Sequence, residues 1–299
     1  MASRPLIGWI GAGRMGAPMA SLILKAGYPL LVSTRSAESR QKLIDQGARA
    51  AASVAECAHA ADLVFSSLPD DAALRKVALG REGVLANARR GAIFLETSTV
   101  SAEVSAEIGR EAEQRDIAYL RAPISGNAAS AQLGQVTVLV SGPEAAWNAA
   151  RPVLETFSQA QVYLGLAEEA RYMKLVANAI VINTAQGMAE ALALGRKAGL
   201  DWNLMLDTLA ESTIASPWLK AKVRLLKPRD FTPTMTARLI LKDIDLMLAA
   251  AGASGVPMPL TAVTREAMQD VIATGRGEED YMATVKLSEE RSGLRTDDT

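Results

Sequence analysis

A strand, a glycine-rich turn and a helix follow one another at the start of the chain, in an order that few folds permit. Leu6-Ile7-Gly8-Trp9-Ile10 is a short apolar run that reads as a buried strand. Gly11-Ala12-Gly13-Arg14-Met15-Gly16 comes next, and Ala17 to Ala26 reads as a helix. This is G-x-G-x-x-G in the strand–turn–helix setting that marks a dinucleotide-binding turn. The first glycine permits the tight turn, and the second lets the backbone approach a pyrophosphate. The third allows helix and strand to pack closely, so that the free N–H groups of the helix N-terminus point at the phosphates. A glycine-rich turn alone is common and often structural. The flanking strand and helix give this one its meaning.

The end of the second strand indicates which dinucleotide. NAD-binding chains usually place an acidic residue there, about 20 residues beyond the turn, against the ribose hydroxyls. Here Tyr28-Pro29-Leu30-Leu31-Val32 runs into Ser33-Thr34-Arg35-Ser36, and the first acidic residue is Glu38, inside the following helix. A guanidinium at Arg35, between the hydroxyls of Thr34 and Ser36, suits a phosphate dianion. An ordinary solvated loop arginine is the alternative. The position, where the ribose substituent is read, favours NADP over NAD.

Bulk properties fit a two-domain enzyme. The chain has 299 residues, 49% of them hydrophobic, which supplies ample core. Its 32 basic and 33 acidic residues are scattered along the sequence and leave a net charge of −1, so neither a nucleic-acid nor a membrane partner is expected. The start is too polar and too briefly apolar for a signal peptide. The longest apolar region, Leu175 to Leu194, is interrupted by Asn178, Asn183, Gln186 and Glu190, which makes it a buried helix rather than a membrane span. The single cysteine, Cys57, excludes an internal disulfide, suits a reducing cytoplasm and reads as inert packing.

Strands and helices alternate to about residue 165. Strands are expected at Leu63–Leu68, Ala92–Glu96, Ala118–Ala122, Val136–Ser141 and Gln161–Leu164. Helices are expected from Pro69-Asp70-Asp71 onward, over Ser101–Arg115 and over Pro143–Phe157. This βα alternation predicts an α/β domain with a doubly wound sheet of Rossmann type over residues 1–165. From 166 to 299 apolar residues recur at helical spacing, with no convincing strand up to residue 290. Helices are expected at about 167–197, 201–211, 216–226, 233–251 and 258–274, and Ser292–Thr299 reads as a disordered tail. The second domain is therefore all-α.

Hydride transfer to or from a carbon bearing oxygen also needs a proton carrier. The single histidine, His59, lies in a helix on the flank of the first domain and reads as a surface or satisfied residue. One Cys and one His cannot build a catalytic zinc site, so no metal is expected. Lys174 lies in the first long helix after the domain junction, with Asn178 one turn further along the same face. A lysine with a desolvated stem beside the positive nicotinamide of the oxidised cofactor would have a lowered pKa and could exchange a proton near neutrality. By spacing alone, such a pair is more often two surface partners.

The chain resembles the β-hydroxyacid dehydrogenase family, which includes 3-hydroxyisobutyrate dehydrogenases and tartronate semialdehyde reductases. Gly8 to Ala20, with Arg14 and Met15 inside the turn, resembles the family's opening signature, and Thr34-Arg35-Ser36 resembles a segment associated with NADP. Leu68-Pro69 and Ser98-Thr99 match loops that border the cofactor. Ala122-Pro123-Ile124-Ser125-Gly126 is similar to the substrate loop, whose hydroxyl and backbone amides hold a carboxylate. Lys174 followed by Asn178 matches the catalytic helix, and Lys242-Asp243 matches a late pair lining the cleft. The resemblance implies a small carboxylate or carbonyl substrate and a homodimer or homotetramer.

Departures from the family pattern fall near the substrate. Arg121 stands where an aspartate is usual, Asn127 replaces a glycine, Ala177 replaces the first of two asparagines, and Met235 takes the place of a phenylalanine. Asn127 adds a polar group where the carboxylate would sit. The first expectation is an NADP-dependent oxidoreductase interconverting a small β-hydroxy acid and its semialdehyde. In it Lys174 carries the proton, and Ser125, Gly126 and Asn127 orient the acid group. A reductase of imines or bulkier carbonyls on the same fold comes second. A non-catalytic NADP-binding interaction protein comes third. Retention of Lys174 argues for the first, because imine-reducing relatives typically lack that lysine.

Overall fold

The computed structural model describes residues 4–295. By compactness the chain divides into Met1–Leu175 and Val176–Thr299. The secondary structure changes character near Gly165, as expected, but the compact division falls later, after Leu175. The start of the first long helix is fastened into the first unit by side chains described below.

The first unit runs β1 (Ile7–Ile10), α1 (Gly16–Lys25), β2 (Leu30–Ser33), α2 (Ala37–Ile44), β3 (Arg49–Ala50), α3 (Val54–Ala60), β4 (Leu63–Ser66), α4 (Asp71–Leu79) and α5 (Val84–Asn87). It continues with β5 (Ile93–Glu96), α6 (Ala102–Gln114), β6 (Ala118–Arg121), β7 (Ile124–Ser125), α7 (Ala128–Gln132), β8 (Val136–Ser141), α8 (Glu144–Leu154) and β9 (Ser158–Gly165), before α9 (Glu169–Lys197) begins. The nine-stranded sheet has the order β3-β2-β1-β4-β5-β6-β8-β7, with β9 paired to β8. Pairing is parallel from β3 through β6. β8 runs antiparallel to β6 and β7. Strand order reverses between β1 and β4, and in such sheets the crevice beyond the strand C-termini at this reversal is where nucleotides bind.

The central strands are apolar up to their last residues, Ser66 in β4 and Glu96 in β5, because helices cover both faces. Alternation along each strand sends Trp9 and Phe65 to one face, with Ile10, Val64 and Phe94 on the other. Trp9 stacks on Phe65 at 5.2 Å, and Phe157 meets both edge-on. Helix starts follow capping chemistry: Ser36, Ser53, Asp70 and Ser101 each accept a backbone N–H from the first turn of α2, α3, α4 and α6.

In the second unit α9 is followed by α10 (Trp202–Glu211), α11 (Pro217–Leu226), α12 (Ala237–Ala253), α13 (Pro259–Val271) and α14 (Thr284–Arg291). The only strand-like pairing among its described residues is an isolated bridge between Thr236 and Asp280. Its interior carries charge in matched sets. Glu289 is buried between Arg196 (2.6 Å) and Arg229 (2.8 Å), and Lys222 pairs with Asp280 at 2.8 Å. No described helix is long and apolar enough to cross a membrane. The expected tail needs correction at its start. Ser292 N–H donates to Ser288 O (3.1 Å), Leu294 N–H to Glu289 O (2.9 Å), and Arg196 Nη1 to Arg295 O (3.1 Å). Residues 296–299 lie outside the described part.

Candidate active site

The ends of β1, β2, β4 and β5 bring the expected cofactor residues of the first unit to one edge of the sheet, while Lys242, also expected at the cofactor, lies in α12 of the second unit. The three glycines of the turn play separable roles. Gly11 has φ +87°, and a Cβ on it would stand 2.3 Å from Ser67 O. A Cβ on Gly16 would stand 2.2 Å from Gly11 O. Both are therefore required by the protein's own packing. A Cβ on Gly13 would meet nothing within 4 Å. The turn needs no glycine there for its own packing, so the open space suits a close-lying ligand. Arg14 beside it is exposed, and Met15 stands at the N-cap of α1, whose first turn has no side-chain cap. Those N–H groups and the bare backbone at Gly13 fit the pyrophosphate of a dinucleotide.

At the end of β2, Thr34 Oγ1 accepts the N–H of Ala12 (3.3 Å), tying this strand end to the glycine turn. Ser36 caps α2 through Ser39 N–H (3.1 Å). Arg35, between them, is exposed and pairs with none of the described residues. Cys57 is buried in the same domain, and burial pushes its thiol up to about 12.

After β4 and β5 the chain forms a linked pair of turns. Leu68 N–H donates to Ser98 Oγ at 2.6 Å, while Pro69 is exposed and Thr99 half-buried. Ser98 N–H donates to Glu96 Oε1 (2.8 Å). Glu96, fully buried, meets Arg171 Nη2 with its other oxygen at 2.6 Å, as an ion pair without hydrogen-bond alignment. Arg171 Nη1 also donates to Ser98 O (2.8 Å), Nη2 to Tyr119 Oη (3.0 Å) and Nε to Ser105 Oγ (3.1 Å). Burial alone would lower the Arg171 pKa, but Tyr119 and Glu96 outweigh it and hold it above the ordinary arginine value. None of Glu96, Ser105, Tyr119 and Arg171 was expected at the site. The one available signal was a carboxylate closing the apolar run Ile93–Leu95.

The segment expected to bind substrate is more ordered than a loop. Ile124 and Ser125 form β7, paired with Val138 and Thr137 of β8. Gly126 has φ +149°. Asn127 caps α7: its Oδ1 accepts Ser130 N–H (3.0 Å), and its own N–H donates to Ser130 Oγ (2.8 Å). The Asn127 backbone amide is thus engaged in this conformation, and its Nδ2 is the donor that remains. Arg121 is buried and committed elsewhere. Nε donates to Glu168 Oε1 (2.9 Å), Nη2 pairs with the same oxygen, and the guanidinium lies 4.6 Å from the Tyr119 ring centroid.

Lys174 is 9% exposed and lies in the part of α9 that belongs to the first unit. In the second unit Asn178 Nδ2 donates to Asp243 Oδ2 (2.8 Å), and Lys242 Nζ pairs with Asp243 Oδ1 (2.8 Å). A fully buried aspartate between these two expected residues fixes their side chains relative to each other.

Residues 6–165 match the family model for the NAD-binding domain of 6-phosphogluconate dehydrogenase. Residues 169–288 match that for the NAD-binding domain of NADP-dependent 3-hydroxyisobutyrate dehydrogenase. The chain is 31% identical to 2-(hydroxymethyl)glutarate dehydrogenase of Eubacterium barkeri, covering 96% of each. It is also 31% identical to the NAD-dependent L-serine dehydrogenase of Pseudomonas aeruginosa, covering 96% of this chain and 99% of that one. A crystal structure of 3-hydroxyisobutyrate dehydrogenase from Salmonella typhimurium superposes with a TM-score of 0.86 at 27% identity, covering 94% of this chain and 99% of that one.

The division of labour among the glycines is testable. Gly13→Ala should leave unfolding free energy within about 0.5 kcal/mol of wild type, as for a surface change, yet weaken NADPH binding measured by fluorescence. Gly16→Ala should lose about 1–3 kcal/mol in urea unfolding, because its Cβ enters occupied space. Equal stability losses from the two substitutions would refute the assignment.

Proposed function

This chain belongs to the β-hydroxyacid dehydrogenase family of 3-hydroxyisobutyrate dehydrogenase type, a family of NAD(P)-dependent dehydrogenases and reductases, and we propose that its own reaction interconverts a small β-hydroxy acid and its semialdehyde with NADP. The observation that carries the proposal is Lys174. It is a buried lysine on the helix whose first turns are fastened to the strand ends that border the cofactor turn. When bound, the nicotinamide cofactor supplies or accepts the hydride. Lys174 gives its proton to the substrate oxygen as a carbonyl is reduced, and takes it back as a hydroxyl is oxidised. Asn178, four residues after Lys174 in sequence and held by Asp243, is the second residue proposed for the catalytic helix. Ser125, Gly126 and the Nδ2 of Asn127 orient the carboxylate.

NADP is the proposed cofactor because Arg35 stands unengaged at the end of β2, where no acidic side chain is present to grip a ribose hydroxyl. One relative is named NAD-dependent, so the choice rests on this chain's own strand end. The proposal extends to a cytoplasmic homo-oligomer. Cys57 is a single, buried thiol, and Val176, Ile180 and Leu194 lie exposed along α9, where a second copy of the chain could cover them.

Three measurements test these assignments. Arg35→Ala should raise the NADP KM by about tenfold or more, the loss of a charged hydrogen-bonded pair, and leave NAD use almost unchanged; higher wild-type kcat/KM with NAD would contradict it. Methyl esters of an active hydroxy acid should be poor substrates, and equal turnover of acid and ester would remove Ser125–Asn127 from carboxylate binding. Lys174→Ala should retain NADPH binding and lower kcat by roughly 10²–10⁴-fold, the usual contribution of a positioned acid–base group. Lys174→Arg should rescue little, since a guanidinium stays protonated. Near wild-type turnover in the alanine variant would leave Lys174 without a role.

A further inference from the structure

The geometry points to Arg171 as a positioning residue that ties the turn after β5 to the helical turn bearing Lys174. It deepens the proposed function, since it rests on Lys174 being the proton carrier. Arg171 is 1% exposed, and its guanidinium reaches in several fixed directions at once. It donates to Ser98 O (2.8 Å), Tyr119 Oη (3.0 Å) and Ser105 Oγ (3.1 Å), and ion-pairs with Glu96 at 2.6 Å. Glu96 in turn accepts Ser98 N–H (2.8 Å), so the peptide groups on both sides of Ser98 Cα are held by this one ion pair. Ser98 Oγ receives Leu68 N–H (2.6 Å). One guanidinium therefore fixes both turns that follow β4 and β5.

The same side chain leaves α9 one turn before Lys174, on the same face of the helix. Two further clamps hold the start of that helix. Arg121 pairs with Glu168, and Ser141 Oγ donates to Ala167 O (2.6 Å) while accepting Ala170 N–H (3.2 Å). These clamps grip the backbone and residues before the helix's second turn. Arg171, one turn before Lys174, joins that part of the helix to Ser98. A structural ion pair would need only Glu96. The bond to the Ser98 carbonyl adds a link between the cofactor-side turn and the lysine, and it needs the planar fork of arginine.

Arg171→Lys keeps the charge facing Glu96 but cannot bridge Ser98, Ser105 and Tyr119 together. We expect the variant to bind NADPH within about threefold of wild type and to keep the substrate KM within the same range. Its kcat should fall by about 10–100-fold, the scale of a small misplacement of a reacting group. In the Lys174→Ala background the same change should alter the residual kcat by less than about twofold, because the two residues act as one unit. Tyr119→Phe, a milder loss of one partner, should show the same dependence on Lys174 and serves if Arg171→Lys fails to fold. Equal fractional losses in both backgrounds, or an unchanged kcat, would overturn the coupling while leaving Lys174 its role. Wild-type turnover in Lys174→Ala alone would overturn the functional reading and this inference with it.

Discussion

A fully buried guanidinium cannot be left unpaired, and the arrangement around Arg171 follows from that constraint. Removing one partner of a buried ion pair ordinarily costs about 3–5 kcal/mol, because the other charge stays desolvated. Glu96, Ser98, Ser105 and Tyr119 come from the end of β5, the turn after it, α6 and β6, and each must keep its place for the charge to remain satisfied. The turns after β4 and β5 and the start of α9 are consequently joined through one residue. The first compact unit extends into α9 for the same reason.

Local signals made much of this fold legible. The strand–turn–helix of residues 6–26, the βα alternation and the helix spacing after residue 165 all depend on apolar periodicity and on Ser, Asp and Thr at helix starts. Short elements escaped because a period needs length. β3 and β7 have two residues each and α7 has five. The Arg171 network escaped for a different reason. Its partners lie 52, 66 and 73 residues away in sequence, and no local pattern encodes such pairings. Arg121 shows the same limit. Set against the family pattern it suggested an altered substrate site, whereas its charge is spent on Glu168 and its plane on Tyr119.

The two ends of the site differ in how far packing alone accounts for their residues. Gly11 and Gly16 are demanded by neighbouring backbone, while Gly13 and Arg35 meet no packing need among the described residues and are proposed to serve a ligand. At the substrate end Asn127 has a structural task as the cap of α7, with only its Nδ2 left for recognition.

Lys174 is proposed to exchange a proton with the oxygen of a carboxylate-bearing substrate. A crystal structure of the ternary complex with NADP and an active hydroxy acid tests it most directly. Lys174 Nζ is expected within about 2.6–3.2 Å of the substrate hydroxyl, with the carboxylate at Ser125–Asn127. A hydroxyl held by another side chain, with Lys174 Nζ turned away from it, would contradict the account.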